Sequence, residues 1–455
     1  MTSASIVNKD TIVAIATPAG NGGVGIVRLS GAAAYTIALT ISRRSSLAPR
    51  YASYTHFYAD DMTVIDSGLV LYFPSPKSFT GEDVVELHGH GGQLILSLLT
   101  RRCVALGARE ARPGEFSERA FLNDKLDLVQ AEAIADLINA QTESAARQAQ
   151  ASLQGVFSNR IEHIATQLIQ LRLYVEAAID FPDEDVDFLS EGKVAYQLAD
   201  LLTSAQQLQS TAKQGAIFRQ GARVVIAGKP NAGKSSLLNA LAGNDVAIVT
   251  DQPGTTRDLV REQVNIAGVP LHLTDTAGLR KTDDLVEKEG VKRAQQAIDD
   301  ADVTLFCTDD SDPSEPLVLD QTGRRLQLLT KIDLTGRHPG RCINTSPDGK
   351  KGLPVIAISA QTGVGMDELK SEILACLGVS ASNDTLFSAR ERHLTALQST
   401  IDILALAQQQ FLSSGAGELL AEDLRLAHER LGSMTGKMTS NELLGEIFGQ
   451  FCIGK

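Results

Sequence analysis

A phosphate-binding loop is the part of this sequence with the clearest chemistry. Residues 228–235, GKPNAGKS, fit the pattern G-x-x-x-x-G-K-[ST]. The apolar run 224–227 before them predicts a strand, and 237–241 predicts the start of a helix. Glycines let backbone N–H groups curl around a polyphosphate, and the helix N-terminus adds its positive end. Lys234 can neutralise β and γ oxygens, and the Ser235 hydroxyl can hold Mg²⁺.

Further segments indicate which base the loop serves. In 275–278, DTAG, Asp275 can reach Mg²⁺ through water and the glycine amide can sense a γ-phosphate. In 328–333, LLTKID, the Asp333 carboxylate can accept hydrogen bonds from two guanine donors that adenine lacks. In 356–360, IAISA, the backbone after a strand can meet guanine O6. Because each segment follows an apolar run and the order is maintained, the sequence predicts a GTPase.

The polar, turn-rich segment 250–258 has the composition of a loop that orders around a γ-phosphate. Thr256 is the candidate for a second hydroxyl on Mg²⁺. Leu279 stands where many GTPases carry a water-positioning glutamine, and leucine cannot orient water. Hydrolysis must therefore recruit another group, and Glu287 is the nearest plausible carboxylate. Composition alone leaves Glu287 open as a solvated helix residue.

Composition indicates a globular protein of about three domains. The chain has 455 residues, 43% of them hydrophobic, and a net charge of −13 from 42 basic and 55 acidic residues. That charge opposes binding to nucleic acid, so any contact with nucleic acid must be local or shared with a partner. The scattered cysteines form no C-x-x-C, and no apolar run approaches a membrane span. We expect a soluble cytoplasmic protein that makes no membrane contact.

Periodicity predicts a multidomain α/β plus α fold. Glycine turns and strands dominate the first part, helical spacing dominates the flanking parts, and a Ras-like phosphate-loop GTPase domain with a mostly parallel, doubly wound sheet is inserted in a helical bundle. The expected domains are 1–120, 121–220, 221–378 and 379–455, the second and fourth forming one helical domain. Strands are expected at 11–17, 25–29 and 67–73, and helices at 125–153, 158–179 and 191–214.

Two patterns in the first 120 residues have alternative interpretations. Residues 20–25 contain G-x-G-x-x-G, but the segment after them predicts a strand instead of a helix. A hairpin turn is therefore favoured over a dinucleotide-binding loop. Glu86, His88 and His90 could be metal ligands, but the neighbouring glycines favour a close backbone approach instead.

Six short strings run from near one end of the sequence to the other: FTGED at 79–83, RPGEFS at 112–117, GKPNAGKS at 228–235, GTTRD at 254–258, DTAGLR at 275–280 and FCIGK at 451–455. Through these strings the chain resembles the tRNA wobble-uridine modification GTPases, called the MnmE or TrmE family. The resemblance implies that the chain modifies C5 of the wobble uridine with an aminomethyl or carboxymethylaminomethyl group. It also implies a homodimer whose G domains approach and separate as GTP turns over. A flavoprotein partner of the MnmG or GidA type, in a heterotetramer, and tRNA complete the expected assembly.

The resemblance also implies roles for individual residues. A one-carbon tetrahydrofolate would bind in the N-terminal domain at Arg28, Glu86, Lys125 and the terminal Lys455. K⁺ would be held by Asn231 and by Thr250, Gln252 and Thr255. Glu287 matches the catalytic glutamate, and Cys452 could act as a thiol or simply pack. The full set of expected GTP contacts is Asn231, Ala232, Gly233, Lys234, Ser235, Ser236, Thr250, Asp251, Gln252, Pro253, Gly254, Thr255, Thr256, Asp275, Thr276, Ala277, Gly278, Thr330, Lys331, Asp333, Ser359 and Ala360.

One departure and one alternative remain. Thr330 stands where the guanine motif more often has asparagine, and its hydroxyl can still brace the loop. The GTPase motifs alone would also suit a regulatory or ribosome-assembly switch whose flanking helices bind a partner without chemistry. A plain ATPase is disfavoured by Asp333.

Overall fold

The computed structural model describes residues 10–180, 192–243, 261–275, 295–312, 324–342, 355–379, 387–437, 441–449, 451 and 454. These residues divide into two compact units. One unit comprises Met1–Ala135 with Leu431–Lys455, and the other comprises Asp136–Arg430. Within the described ranges, every helix is too short or too polar to cross a bilayer.

The first unit is built on a six-stranded sheet of order β3-β4-β5-β2-β1-β6, antiparallel except for the β1–β6 pair. Helices α1 and α2 supply core residues that pack with the sheet. The strands are β1 (Thr11–Ile15), β2 (Gly22–Ser30), β3 (Ser53–Tyr58), β4 (Val64–Phe73), β5 (Val84–Gly91) and β6 (Ala108–Glu110). The helices are α1 (Ala34–Ser42), α2 (Gln93–Ala105) and α3 (Glu115–Leu122).

The hairpin predicted around residues 20–25 is confirmed. Strands β1 and β2 pair antiparallel, with Ile12 opposite Ser30 and Ile15 opposite Val27. The glycines of this segment therefore serve the turn and the start of β2 and do not precede a helix. The strands expected at 11–17, 25–29 and 67–73 correspond to β1, β2 and β4, with shifted ends.

In the part of the chain that the structure describes, seven further helices lie between residues 128 and 220 and between residues 391 and 449, and they follow apolar stripes at helical spacing. Helix α7 packs along α6 and α11, and α3 packs with α13. Their bounds are α4 (Leu128–Ile138), α5 (Glu143–Leu153), α6 (Val156–Asp180), α7 (Lys193–Gln220), α11 (Glu391–Ser414), α12 (Gly417–Thr435) and α13 (Asn441–Gly449).

The single helix expected over 125–153 is wrong, because the structure breaks it into α4 and α5. Thr142 begins α5 by accepting a hydrogen bond from the Ala145 N–H at 3.1 Å. The same hydroxyl donates to the carbonyl oxygen of Gly268 at 3.0 Å. Capping of a new helix and a contact with a distant turn together end the continuous helix that periodicity predicted.

A seven-stranded sheet of order β12-β13-β11-β10-β7-β9-β8 lies between α7 and α11 in the chain. Its central strands are parallel, and β8 and β12 are antiparallel to their neighbours. The mostly parallel sheet predicted for the inserted domain is confirmed. Its elements are β7 (Ala222–Gly228), α8 (Lys234–Ala242), β8 (Arg261–Ile266), β9 (Val269–Asp275), β10 (Val303–Asp309), β11 (Arg325–Thr330), α9 (Ile332–Thr335), β12 (Gly340–Cys342), β13 (Val355–Ala357) and α10 (Met366–Leu377).

Burial on both faces explains the apolar run of the central strand β7, where Val225 and Ala227 pack in a second buried cluster. Val224, Ile226, Leu305, Leu328 and Ile356 are fully buried in one cluster within the sheet domain. Strands in a parallel sheet that is covered on both faces show no alternation of polar and apolar residues. The sheet thereby supplies a rigid edge at which the loops after its parallel strands meet.

Candidate nucleotide-binding site

The phosphate loop joins β7 to α8 and is shaped by residues with positive φ. Gly228 ends β7 with a φ of +147°, and a Cβ on it would lie 2.3 Å from the carbonyl oxygen of Cys307. Asn231 has a φ of 64° and Gly233 a φ of 80°. These conformations turn the chain tightly from the strand into the helix. Because α8 begins at Lys234, the positive end of its dipole faces the loop.

Lys234 is held over the loop that precedes it. The residue is 6% exposed, and its Nζ donates to the carbonyl oxygens of Gly228 at 3.0 Å and Lys229 at 2.6 Å. Ser235 and Ser236, in the first turn of α8, are exposed. An ammonium group, exposed hydroxyl-bearing residues and a helix N-terminus therefore converge at one place, which is the chemistry that a polyphosphate requires.

Thr330 joins the phosphate loop to the base-recognition segment, residues 330–333. Its hydroxyl lies 2.9 Å from the carbonyl oxygen of Ala232 and 3.1 Å from that of Thr308, and the residue is 2% exposed. Ala232 is itself buried. Strand β10 pairs in parallel with β7 and with β11, so the carboxyl ends of these strands lie at one edge. The structure thus brings together two segments that the sequence separates by about a hundred residues.

Asp333 and Lys331 each have a side-chain partner. The Ser359 hydroxyl donates to Asp333 Oδ1 at 2.6 Å, and Lys331 Nζ lies 2.7 Å from Asp309 Oδ2. The backbone N–H of Ser359 donates to the carbonyl oxygen of Val364 at 2.9 Å. That N–H is therefore used within its own turn, and the hydroxyl is the group of Ser359 that contacts Asp333.

The remaining expected contacts fall at the edges of the described chain. Asp275 ends β9, and its backbone lies opposite Ile226 of β7. Ala360 follows Ser359 in the turn after β13. The predicted site residues that lie outside the described residues are Thr250, Asp251, Gln252, Pro253, Gly254, Thr255, Thr256, Thr276, Ala277, Gly278, Glu287, Cys452 and Lys455.

In the first unit, the predicted folate residues Arg28 and Glu86 form an ion pair on neighbouring strands. Arg28 Nη2 and Nε lie 2.8 and 3.0 Å from Glu86 Oε1, and His88 Nε2 lies 3.0 Å from Glu86 Oε2. The hydrogen bond from His88, together with the charge of Arg28, holds the pKa of Glu86 below its ordinary value. Glu86 is therefore an ionised acceptor at neutral pH, as pairing with a ligand's N–H groups requires.

The loop between β4 and β5 connects this pair to the third predicted folate residue. The Arg28 guanidinium carbon lies 5.8 Å from the ring centroid of Phe79. Lys125 lies against Gly81 of the same loop, where an added Cβ would come within 3.1 Å of Lys125 Cε. Among the described residues, no group of three or more His, Cys, Asp and Glu side chains is arranged to hold a metal ion.

Sequence reasoning missed Asp309 and, in the first unit, His88 as a partner of Glu86. Asp309 gave a faint signal, since it is an acid at the end of an apolar run like Asp333. His88 shares a strand face with Glu86 because residues two apart in a strand point to the same side. The Glu86–His88 pair follows from alternation within one strand, whereas only strand register reveals the Asp309–Lys331 pair.

A mostly parallel sheet with a phosphate loop at its carboxyl edge and Asp333 in the short helix α9 beside it defines a phosphate-loop protein of the GTPase class. The model of the MnmE helical domain matches residues 128–452, and that of the GTP-binding protein TrmE N-terminus matches residues 11–125. The tRNA modification GTPase MnmE of Stutzerimonas stutzeri is 54% identical over 98% of this chain and 99% of that protein. The chain belongs to the MnmE family of tRNA modification GTPases, and the resemblance inferred from the sequence is confirmed.

Other relatives agree over the same length. The proteins of this name from Chromohalobacter salexigens and Pseudomonas aeruginosa strain UCBPP-PA14 are 52% and 54% identical, covering 100% and 98% of this chain. The matched regions span 100% and 99% of those two proteins, respectively. A solved structure of Aquifex aeolicus Era bound to GDP·AlF₄⁻ is 28% identical over 41% of this chain and 67% of that chain, with a TM-score of 0.27. The predicted enzyme class, a GTP hydrolase, is confirmed by the full-length relatives.

Proposed function

We propose that this chain binds GTP between its phosphate loop and Asp333 and hydrolyses it during modification of the tRNA wobble uridine at C5. The observation that carries the proposal is the Thr330 hydroxyl, 2.9 Å from the Ala232 carbonyl oxygen. This hydrogen bond joins the segment that would select the base to the loop that would bind the phosphates, so the two motifs can serve one nucleotide. The relatives, named tRNA modification GTPases, support the RNA substrate.

The residues present fit Mg²⁺ and K⁺ in part. The exposed Ser235 hydroxyl would hold Mg²⁺ together with Thr256, and Mg²⁺ would offset charge on the β and γ oxygens. Asn231, exposed in the loop with a φ of 64°, would offer its amide oxygen to K⁺ with Thr250, Gln252 and Thr255. Glu287 is proposed to act on the attacking water, because Leu279 cannot.

The first unit is proposed to bind a one-carbon tetrahydrofolate at Arg28, Glu86, Lys125 and Lys455. The ionised Glu86 carboxylate would accept hydrogen bonds from the donor edge of a pterin, and the cationic residues would meet the glutamate tail. A homodimer and a flavoprotein partner of the MnmG or GidA type are proposed to complete the reaction, with Cys452 as a thiol. The domains 1–120, 121–220, 221–378 and 379–455 are proposed on the same basis.

Wobble uridines isolated from cells test this function. A strain that lacks the native gene and carries the Lys234→Ala variant should accumulate unmodified wobble uridine, like the deletion strain, because the buried ammonium that serves the phosphates is gone. Lys213→Ala removes an exposed lysine from α7 and should restore modification. Mass spectrometry of digested tRNA measures both. Modification at the wild-type level with Lys234→Ala would refute the proposal, and an unaltered deletion strain would favour the regulatory switch.

A further inference from the structure

The cation of the base-recognition segment is anchored by an acid from the neighbouring strand. Lys331 follows β11 with a φ of 59°, a left-handed conformation that turns the chain into α9. Its Nζ lies 2.7 Å from Asp309 Oδ2, and the Lys331 and Asp309 side chains are 34% and 20% exposed. In the β10–β11 register, Asp309 stands opposite Thr330, so strand pairing places the acid beside the residue that precedes Lys331.

The Asp309 carboxylate is also held by Ser311, through the oxygen that does not contact Lys331. Its Oδ1 accepts hydrogen bonds from the Ser311 backbone N–H at 3.0 Å and from the Ser311 hydroxyl at 2.6 Å. The hydrogen bond from Lys331, followed by those from Ser311, lowers the pKa of Asp309 from 3.8 to about 2. The acid therefore remains ionised at neutral pH and presents Oδ2 to Lys331 from a set direction.

We propose that Asp309 is a positioning residue for the purine base and acts through Lys331. The ammonium nitrogen of Lys331 is held 2.7 Å from Asp309 Oδ2. The methylene stem of Lys331, two residues before Asp333, therefore loses rotamer freedom. A long cationic side chain with its head held in place presents its stem as apolar surface, and a purine ring can pack on such a surface. This inference rests on the proposed function of the same site.

The Asp309–Lys331 pair would contribute to nucleotide binding and leave the rate of the chemical step unchanged. Lys331 precedes Asp333 by two residues and is paired with Asp309, whereas Lys234 and Ser235 would serve the phosphates. An interaction with the base is made equally in the ground state and the transition state, so its loss raises KM and leaves kcat as it was. A purely structural role for Asp309 would instead lower the fraction of active protein, and hence the apparent kcat.

A double-mutant cycle on the full-length protein tests the proposal, with GDP affinity measured by calorimetry. Asp309→Ala and Lys331→Met should each weaken GDP binding about tenfold, the scale of a hydrogen bond between charged groups. The methionine keeps an unbranched stem without the charge. Adding Asp309→Ala to Lys331→Met should change the affinity less than about twofold, because the acid would then have no cation to hold. The kcat at saturating GTP should match that of the wild type.

Asp312→Ala is the matched control, since it removes an exposed acid from the same turn. It should bind GDP as the wild type does. The proposal is overturned if Asp309→Ala binds GDP normally, or if its effect is undiminished in the Lys331→Met background. If the alanine variant does not fold, Asp309→Leu, which has a similar shape and no acceptor oxygen, carries the same cycle. A wild-type protein that fails to bind GDP refutes the proposed function itself.

Discussion

Replacement of Thr330 by valine tests whether the phosphate loop and the base-recognition segment form one site. The hydroxyl lies 2.9 Å from the Ala232 carbonyl oxygen and 3.1 Å from that of Thr308, at a residue only 2% exposed. A hydroxyl has one proton, so it donates to one of these oxygens at a time. Valine has nearly the same shape, and the change therefore removes the donor with little loss of packing.

The magnitude follows from the loss of one buried hydrogen bond. Such a loss costs about 1–2 kcal/mol, which corresponds to about a five- to thirtyfold weaker GDP affinity if the freed loop must be reordered on binding. Thr330→Ser keeps the hydroxyl and should bind within about threefold of the wild type. Calorimetric titration of each folded variant with GDP in magnesium buffer gives the affinities.

The control is the same substitution at a hydroxyl outside the site. Thr203 on α7 donates to the carbonyl oxygen of Ala199 at 2.9 Å and is exposed, so Thr203→Val should leave GDP binding unchanged. If Thr330→Val is folded and binds GDP as tightly as the wild type, the coupling between the two segments is refuted. The assignment of Asp333 to the base would then need separate support.

Three further substitutions and one change of salt test other parts of the protein. Gly268→Ala should destabilise the fold by about 2 kcal/mol or more in urea unfolding, because Gly268 has a φ of +88° and an added Cβ would lie 2.2 Å from Ser144 Oγ. Gly336→Ala, with a φ of +72° and no atom within 4 Å of its Cβ, should lose only about 1 kcal/mol, and equal losses would contradict the packing explanation. Glu287→Ala should slow GTP turnover without abolishing GTP binding, and wild-type turnover should be faster in KCl than in NaCl at equal ionic strength. An unchanged Glu287→Ala rate rules out its catalytic role, and equal rates in the two salts rule out K⁺ activation.

Tertiary contacts overrode local periodicity at one clear place. Residues 125–153 keep helical spacing throughout, yet the chain breaks before Thr142. The Thr142 hydroxyl caps α5 and also donates to Gly268, which is 126 positions away in the chain. Helical periodicity indicates only which residues can share one face of a helix. It cannot reveal a hydrogen bond to a residue in a distant turn.

The order and spacing of the motifs were determined by sequence alone. The glycines, Lys234 and Ser235 of the phosphate loop are contiguous, and their work depends on local backbone shape, so the string was sufficient to predict the loop. The parallel sheet was expected with the phosphate-loop domain, whose motifs each follow an apolar run. The family was likewise evident from strings spread over the chain.

Only the folded structure decided the pairings. Asp309 meets Lys331, Ser359 meets Asp333, and Thr330 meets Ala232 because parallel strands bring their carboxyl ends to one edge of the sheet. Arg28 likewise meets Glu86 across two antiparallel strands. A hydrogen bond requires atoms within about 3 Å, and sequence separation carries no information on that distance until strand order and register are known.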